Sequence, residues 1–184
     1  FEAMGRALGP LPLIAEDLGA VTPAVRRLRR RFGFPGIKLL QFAFGTDPNA
    51  HDFLPHNHER NAVVYTGTHD NDTTVGWFHD PGTEGQRSPA QTEKERRAAL
   101  AYLGADDASD IHWRFIRACF MSVAGVAIIP MQDLLGLGSE ARMNRPGIAS
   151  GNWLWRAPDD ALTPTLAQRL RELTTLYERE GPDA

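Results

Sequence analysis

The chain has 184 residues, is 42% hydrophobic and 23% charged, and carries a formal net charge of −3, the profile of a globular protein without a global pull toward nucleic acid or anionic lipid. No run approaches the roughly 18 consecutive apolar residues of a membrane span, and no secretory leader pattern follows Phe1. Cys119 is the single cysteine, which excludes an internal disulfide, argues against a cysteine-based metal site and suits a reducing, cytoplasmic setting.

Phe1 to Gly9 reads as the tail of a helix. Leu11 to Ala15 is a short apolar run that predicts a buried strand ending in Glu16-Asp17. Thr22-Pro23 is a helix start, with Val25, Leu28 and Phe32 as the apolar stripe and Gly33 as the stop. The arginines at 26, 27, 29, 30 and 31 flank that stripe and predict a solvated outer face rather than a nucleic-acid helix. Gly36 to Phe44 predicts a second strand, and Asp47 to Arg60 a polar loop whose histidines, His51, His56 and His58, are scattered rather than metal-binding.

Ala62 to Thr66 predicts a third strand running into Gly67-Thr68-His69-Asp70-Asn71-Asp72. Helices are expected over Thr92–Leu103 and Ser109–Val123, then a fourth strand over Val126–Pro130 leading to Gln132-Asp133. A glycine- and asparagine-rich loop follows, in which Trp153 and Trp155 are candidates for stacking on a sugar or for one buried and one exposed ring; Trp77 and Trp113 read as core. Leu166, Leu170, Leu173 and Tyr177 mark a closing amphipathic helix over Pro164–Glu180.

Short apolar strands alternating with helices imply an α/β fold with a parallel sheet, either a small open sheet or half of an eight-stranded barrel. In such folds functional groups lie at the C-terminal ends of strands. Three strand ends carry Glu16-Asp17, His69 to Asp72 and Gln132-Asp133, so carboxylates face a common cleft. Glycosidic-bond cleavage needs one carboxyl to protonate the leaving oxygen and a second negative charge near the developing oxocarbenium carbon. Glu16 and Asp70 suit those tasks, although acids after a strand also cap turns. An EF-hand reading of Asp70-Asn71-Asp72 fails because its glycine and glutamate positions hold Val75 and Pro81.

Ala15-Glu16-Asp17-Leu18-Gly19 and Pro35 to Phe44 closely resemble the amylomaltases, or 4-α-glucanotransferases, a family that includes the plant disproportionating enzyme. The resemblance continues through Phe53 to Asn57, Tyr65 to Thr74, Gly138 to Asn144, Pro146-Gly147 and Ser150 to Trp153, and so spans roughly Pro10 to Trp155. It implies a (β/α)8 TIM barrel, with residues 1–184 as a partial catalytic domain supplying about strands five to eight, and with the N-terminal half of the barrel and its insertions outside this sequence. It implies retaining transfer of α-1,4-glucan segments to the 4-hydroxyl of an acceptor by double displacement.

By the same resemblance Glu16 is the general acid/base, Asp70 the carboxylate that stabilises the transition state and grips sugar hydroxyls, and His69 a hydrogen-bonding partner of the same glucose. Asn144 lines the cleft and Phe42 lies near the cleavage site. The nucleophile is an aspartate on an earlier strand, expected before residue 1, whereas residue chemistry alone would pair Glu16 with Asp70 as acid and nucleophile. The implied partners are maltooligosaccharides and starch or glycogen fragments, with no metal, organic cofactor, nucleic acid or membrane. A related α-glucan hydrolase, or a glucan-binding module inactive on its own, remain the alternatives; the isolated chain is expected to be inactive without the rest of the barrel.

Overall fold

Local chemistry sets the ends of several elements in the computed structural model, which describes residues 1–19, 21–82 and 87–181. After α1 (Glu2–Leu8), Thr22 Oγ1 accepts the Val25 amide at 3.4 Å and starts α2 (Pro23–Arg31). Thr73 caps α3 (Thr74–His79) by accepting the Gly76 amide at 3.0 Å. Ser88 and Gln91 form a reciprocal capping box on α4 (Pro89–Leu103), and Gly104, at φ +61°, closes it. α5 (Ile111–Met121), α6 (Met131–Leu134) and α7 (Pro164–Leu176) follow, with Thr163 capping the last.

Three short strands, β1 (Gly36–Leu39), β2 (Ala62–Tyr65) and β3 (Val126–Ile128), form a parallel sheet in that order. The fold is therefore α/β with a small parallel sheet. Register puts Ile37, Val63 and Val126 in one row, and Leu39, Tyr65 and Ile128 in another. Side chains alternate across a sheet, so these rows share one face, and Val64 and Ala127 belong to the other. That second face packs with Phe44, Trp77, Phe78, Ile111 and Phe115 into the main core. A smaller core joins Trp113, Ile116 and Phe120 of α5 to Leu166, Leu170 and Leu173 of α7, the stripe expected from spacing.

The first face is apolar but unevenly covered. Val63 and Leu39 are buried, whereas Val126 and Ile128 are 48% and 38% exposed. Leu13 and Ile14 are also exposed, and the expected strand over Leu11–Ala15 reduces to one parallel bridge between Ala15 and Gly36. The apolar run pairs on a single side at a single residue, too little to hold a ladder.

Two further expectations change. The run Gly36 to Phe44 is strand only to Leu39; Leu40–Phe44 winds into a 3-10 turn that buries Leu40 and Phe44 under the helices. The arginine-rich helix is not solvated all round. Arg29 is buried, donates to the Phe34 carbonyl at 3.0 Å and to Glu59 at 2.5 Å, and its Nε lies 3.1 Å from Asp17 Oδ2, within ion-pairing range though off the N–H direction. Among the described residues no helix is long and apolar enough to cross a membrane.

Candidate active site

The C-terminal ends of the strands share one edge, and the residues beyond β2 hold the densest polar network. Its support begins below. Asp133 is buried and accepts from Thr66 Oγ1 at 2.5 Å and from the Thr74 amide at 2.6 Å. It therefore ties the end of β2 to the start of α3 and to α6. Burial raises its carboxyl above the usual range, against the opposing pull of these hydrogen bonds. Gln41, also buried, donates to the Asp72 carbonyl at 2.9 Å. A Cβ at Gly67 would stand 2.8 Å from Gln41 Nε2 and would push that amide from its place.

The Thr68 to Asp72 segment divides into scaffold and open groups. Asn71 Oδ1 accepts from the Thr68 amide at 3.0 Å and hydroxyl at 2.6 Å, closing the turn. Asp72 accepts from Ser139 Oγ at 2.7 Å and from the Thr73 amide at 2.8 Å, which fastens the loop after α6. His69 and Asp70 remain open, with about half of each side chain exposed (50% and 45%). Asn144 Nδ2 donates to Asp70 Oδ1 at 2.6 Å, and His69 Nε2 lies 3.3 Å from that oxygen. Three hydrogen bonds to main-chain carbonyls lock the pairing: the Asn144 amide donates to the His69 carbonyl at 3.1 Å, and Arg142 donates to the Asp70 and Asn144 carbonyls at 2.7 and 2.8 Å.

The structure thus brings together three of the expected site residues, His69, Asp70 and Asn144. Glu16 is exposed past the Ala15 bridge, near enough to Tyr65 for its charge, after burial, to help raise the phenol above its ordinary value. Its neighbour Asp17 is committed to structure, accepting the Ile37 amide at 2.9 Å and facing Arg29. Phe42 is 38% exposed in the turn after β1 and meets Phe53 edge-on at 5.5 Å, apart from the trio. The loop histidines have separate partners: the Pro48 carbonyl for His51, Tyr102 for His56, and Ser122 with Phe53 for His58.

A cavity of about 150 Å³ opens beside the trio, walled by His69, Arg142, Met143 and Trp153. Trp153 is half exposed, its ring 5.1 Å from that of His69. Its φ of +64° is rare for a bulky residue and costs on the order of 1–3 kcal/mol. Arg142 lies within a matching motif that gives it no task in sequence; only the folded geometry makes it the tie between the Asp70 and Asn144 carbonyls. Asp133 reads in sequence as a cleft carboxylate, and only its burial reveals the supporting task.

Parallel strands that deliver carboxylate, imidazole and amide to one edge define an α/β protein with a polar strand-end site. The family model described as 4-alpha-glucanotransferase matches residues 1–163, and the chain belongs to that family. It is 50% identical over 181 residues to a 4-alpha-glucanotransferase of Synechocystis, covering 97% of this chain and 34% of that protein. It is 47% identical to the chloroplastic/amyloplastic 4-alpha-glucanotransferase of Arabidopsis thaliana, again over 97% of this chain but 30% of the relative. The chain spans about a third of the length of the curated relatives it matches. Among solved structures, an amylomaltase from Streptococcus agalactiae in complex with acarbose superposes with a TM-score of 0.86 at 33% identity, over 98% of this chain and 34% of that one.

Proposed function

We propose that this segment carries the acid/base and charge-stabilising half of a 4-α-glucanotransferase active site. Its sheet would be the C-terminal half of a (β/α)8 barrel, with residues 1–184 a partial catalytic domain. The support is the apolar first face of the sheet, exposed at Val126 and Ile128, together with exposed Leu13 and Ile14 beside the Ala15 bridge. Strands from a preceding half would cover these positions, as the interior layers of a barrel do.

The observation that carries the reading is the Asn144–Asp70–His69 group. Asp70 is held by one amide and faces an imidazole, yet stays half open. A carboxylate so fixed offers a prepositioned negative charge and acceptor oxygens to a sugar whose anomeric carbon turns cationic. His69 and Asn144 supply donors and acceptors to hydroxyls of the same glucose. Glu16, exposed past the Ala15 bridge and near enough to Tyr65 for its charge to act on the phenol, protonates the leaving 4-oxygen while an aspartate outside this segment attacks the anomeric carbon. Glu16 then takes a proton from the acceptor 4-hydroxyl as that oxygen displaces the aspartate. Phe42 lines the approach to the cleavage point. α-1,4-Glucans are the substrates, and this chemistry calls for no metal or organic cofactor.

The test is product analysis. The complete protein incubated with maltotriose should yield glucose together with longer oligosaccharides, and residues 1–184 alone should yield neither. Shorter products with no chain lengthening would identify a hydrolase, and transfer by residues 1–184 alone would overturn the assignment of the nucleophile to the rest of the chain.

A further inference from the structure

Trp153 combines three features that packing alone does not require together. Its backbone sits in the left-handed region at φ +64°, which a large side chain rarely adopts. Its side chain is nevertheless left largely bare, at 54% exposure. The surrounding loop is tied down to keep it there. The Trp153 amide donates to the Met143 carbonyl at 2.8 Å, and Arg156 donates to the Trp153 and Trp155 carbonyls at 2.9 and 2.7 Å. Asn152 accepts the Arg145 amide at 2.9 Å and donates to the Ile148 carbonyl at 2.9 Å. An over-determined loop that maintains a strained conformation is a mark of a functional position, and here it presents an indole to the cavity beside His69.

We infer that Trp153 is a stacking platform for a pyranose ring of the glucan, and so a specificity-determining residue of the proposed site. The indole lies 5.1 Å from the His69 ring at 37°, so the two rings form an angled wall rather than a closed stack. An α-glucose unit has one face rich in C–H groups and an equatorial rim of hydroxyls. The C–H face would lie on the indole, while His69 and the Asn144–Asp70 pair would meet the rim. Ligand sites of this kind combine aromatic walls with a few placed polar groups. Trp155 is only half-buried, and Trp77 and Trp113 are buried, so among the described tryptophans Trp153 is the one most open to solvent.

The inference rests on the proposed glucan site, and its test separates the two. In the complete protein, Trp153→Gly relieves the backbone strain and removes the ring, while Trp153→Phe keeps an aromatic face. The glycine variant should raise KM for maltotriose at least tenfold and leave the melting temperature equal or higher; the phenylalanine variant should recover most of the affinity. A binding arm needs no turnover. In a Glu16→Gln background, maltotetraose should change the tryptophan emission and shield it from iodide quenching, and Trp153→Phe should abolish that change. A glycine variant with normal KM, or with a lowered melting temperature and no change in KM, would overturn the platform and make the ring a packing element against the rest of the protein. If the parent protein transfers no glucan but maltotetraose still perturbs Trp153, the transferase reading fails and the platform stands.

Discussion

Replacing Asp70 by Asn tests the charge at the centre of the trio with almost no change in shape. Asp70 Oδ1 accepts 2.6 Å from Asn144 Nδ2, and an amide oxygen can take over that bond. The side chain is 45% exposed, so the freed amide hydrogens can find water, and the stability cost should stay below about 1 kcal/mol. Catalysis should respond differently. The proposed task of Asp70 is to meet positive charge that exists only near the transition state, and groups of this kind contribute about 3–4 kcal/mol. That corresponds to a fall in kcat of roughly 10² to 10³-fold with KM altered far less. The assay is turnover on maltotriose over a range of concentrations in the complete protein, with the melting temperature measured on the same samples. Asp70 as a mere turn-former predicts the reverse, because Asn is as good a turn residue as Asp. A well-folded Asp70→Asn enzyme with near-normal kcat would refute the reasoning.

Glu16→Gln should cost roughly 10² to 10⁴-fold on maltotriose, with much less loss in the first step from an α-glycosyl fluoride, whose leaving group needs no proton; turnover on maltotriose within about tenfold of the parent would remove Glu16 from the acid/base role. His58 supplies a pH test of stability. Buried between the Ser122 hydroxyl and the Phe53 carbonyl, and near Lys38 and His56, its imidazole is lowered from 6.5 to about 4, mainly by burial. Between those pH values the unfolded chain binds a proton that the folded chain does not, so this contribution is full above pH 6.5 and is lost as pH falls toward 4, by at most about 3 kcal/mol. Urea midpoints of the parent should therefore drop between pH 6.5 and 5, and those of His58→Gln should be flatter over the same range; identical slopes would count against a neutral buried imidazole.

Much of this architecture was legible because local signals and tertiary packing agree. Thr22-Pro23 does cap a helix, the 166–170–173 spacing does face a core, and β2 and β3 are short apolar runs between turn residues, β2 largely buried and β3 left partly open. The failures lie where an apolar run has two uses. Leu39 to Phe44 is apolar enough for either strand or helix, and only the helices packing above it decide that Phe44 turns down into the core. Leu11 to Ala15 has the composition of a buried strand, but burial needs partners that the sequence does not name. α3 escaped notice because Thr74-Val75-Gly76 has poor helix propensity; its cap at Thr73 and the link from Asp133 to the Thr74 amide supply the support. Arg29 looks like its neighbours in sequence, and only the convergence of Asp17, Glu59 and the Phe34 carbonyl distinguishes it.

The strand-end acids show why site chemistry is harder to read than fold. Each of two clusters pairs a carboxylate that the scaffold has claimed with one that it has not. Asp17 accepts the Ile37 amide and faces Arg29, and a Cβ on Gly36 would come within 2.7 Å of its oxygens, so its place is fixed by what crowds it. Glu16, one residue earlier, is exposed and lies near enough to Tyr65 for its charge to act on the phenol. Asp72 is consumed by Ser139 and its own turn, while Asp70 keeps an open side. At the third strand end the claimed member stands without a free carboxylate, since Gln132 donates to the Ala141 carbonyl at 3.2 Å and Asp133 is buried beneath Thr66. Successive side chains along extended backbone alternate, which separates Glu16 from Asp17; Asp70 and Asp72 are two residues apart, and there the turn closed by Asn71 on Thr68 separates the anchoring acid from the open one. The claimed acid thereby fixes the backbone from which the free acid projects, so the roles proposed for Glu16 and Asp70 rest on Asp17 and Asp72 holding that backbone in place.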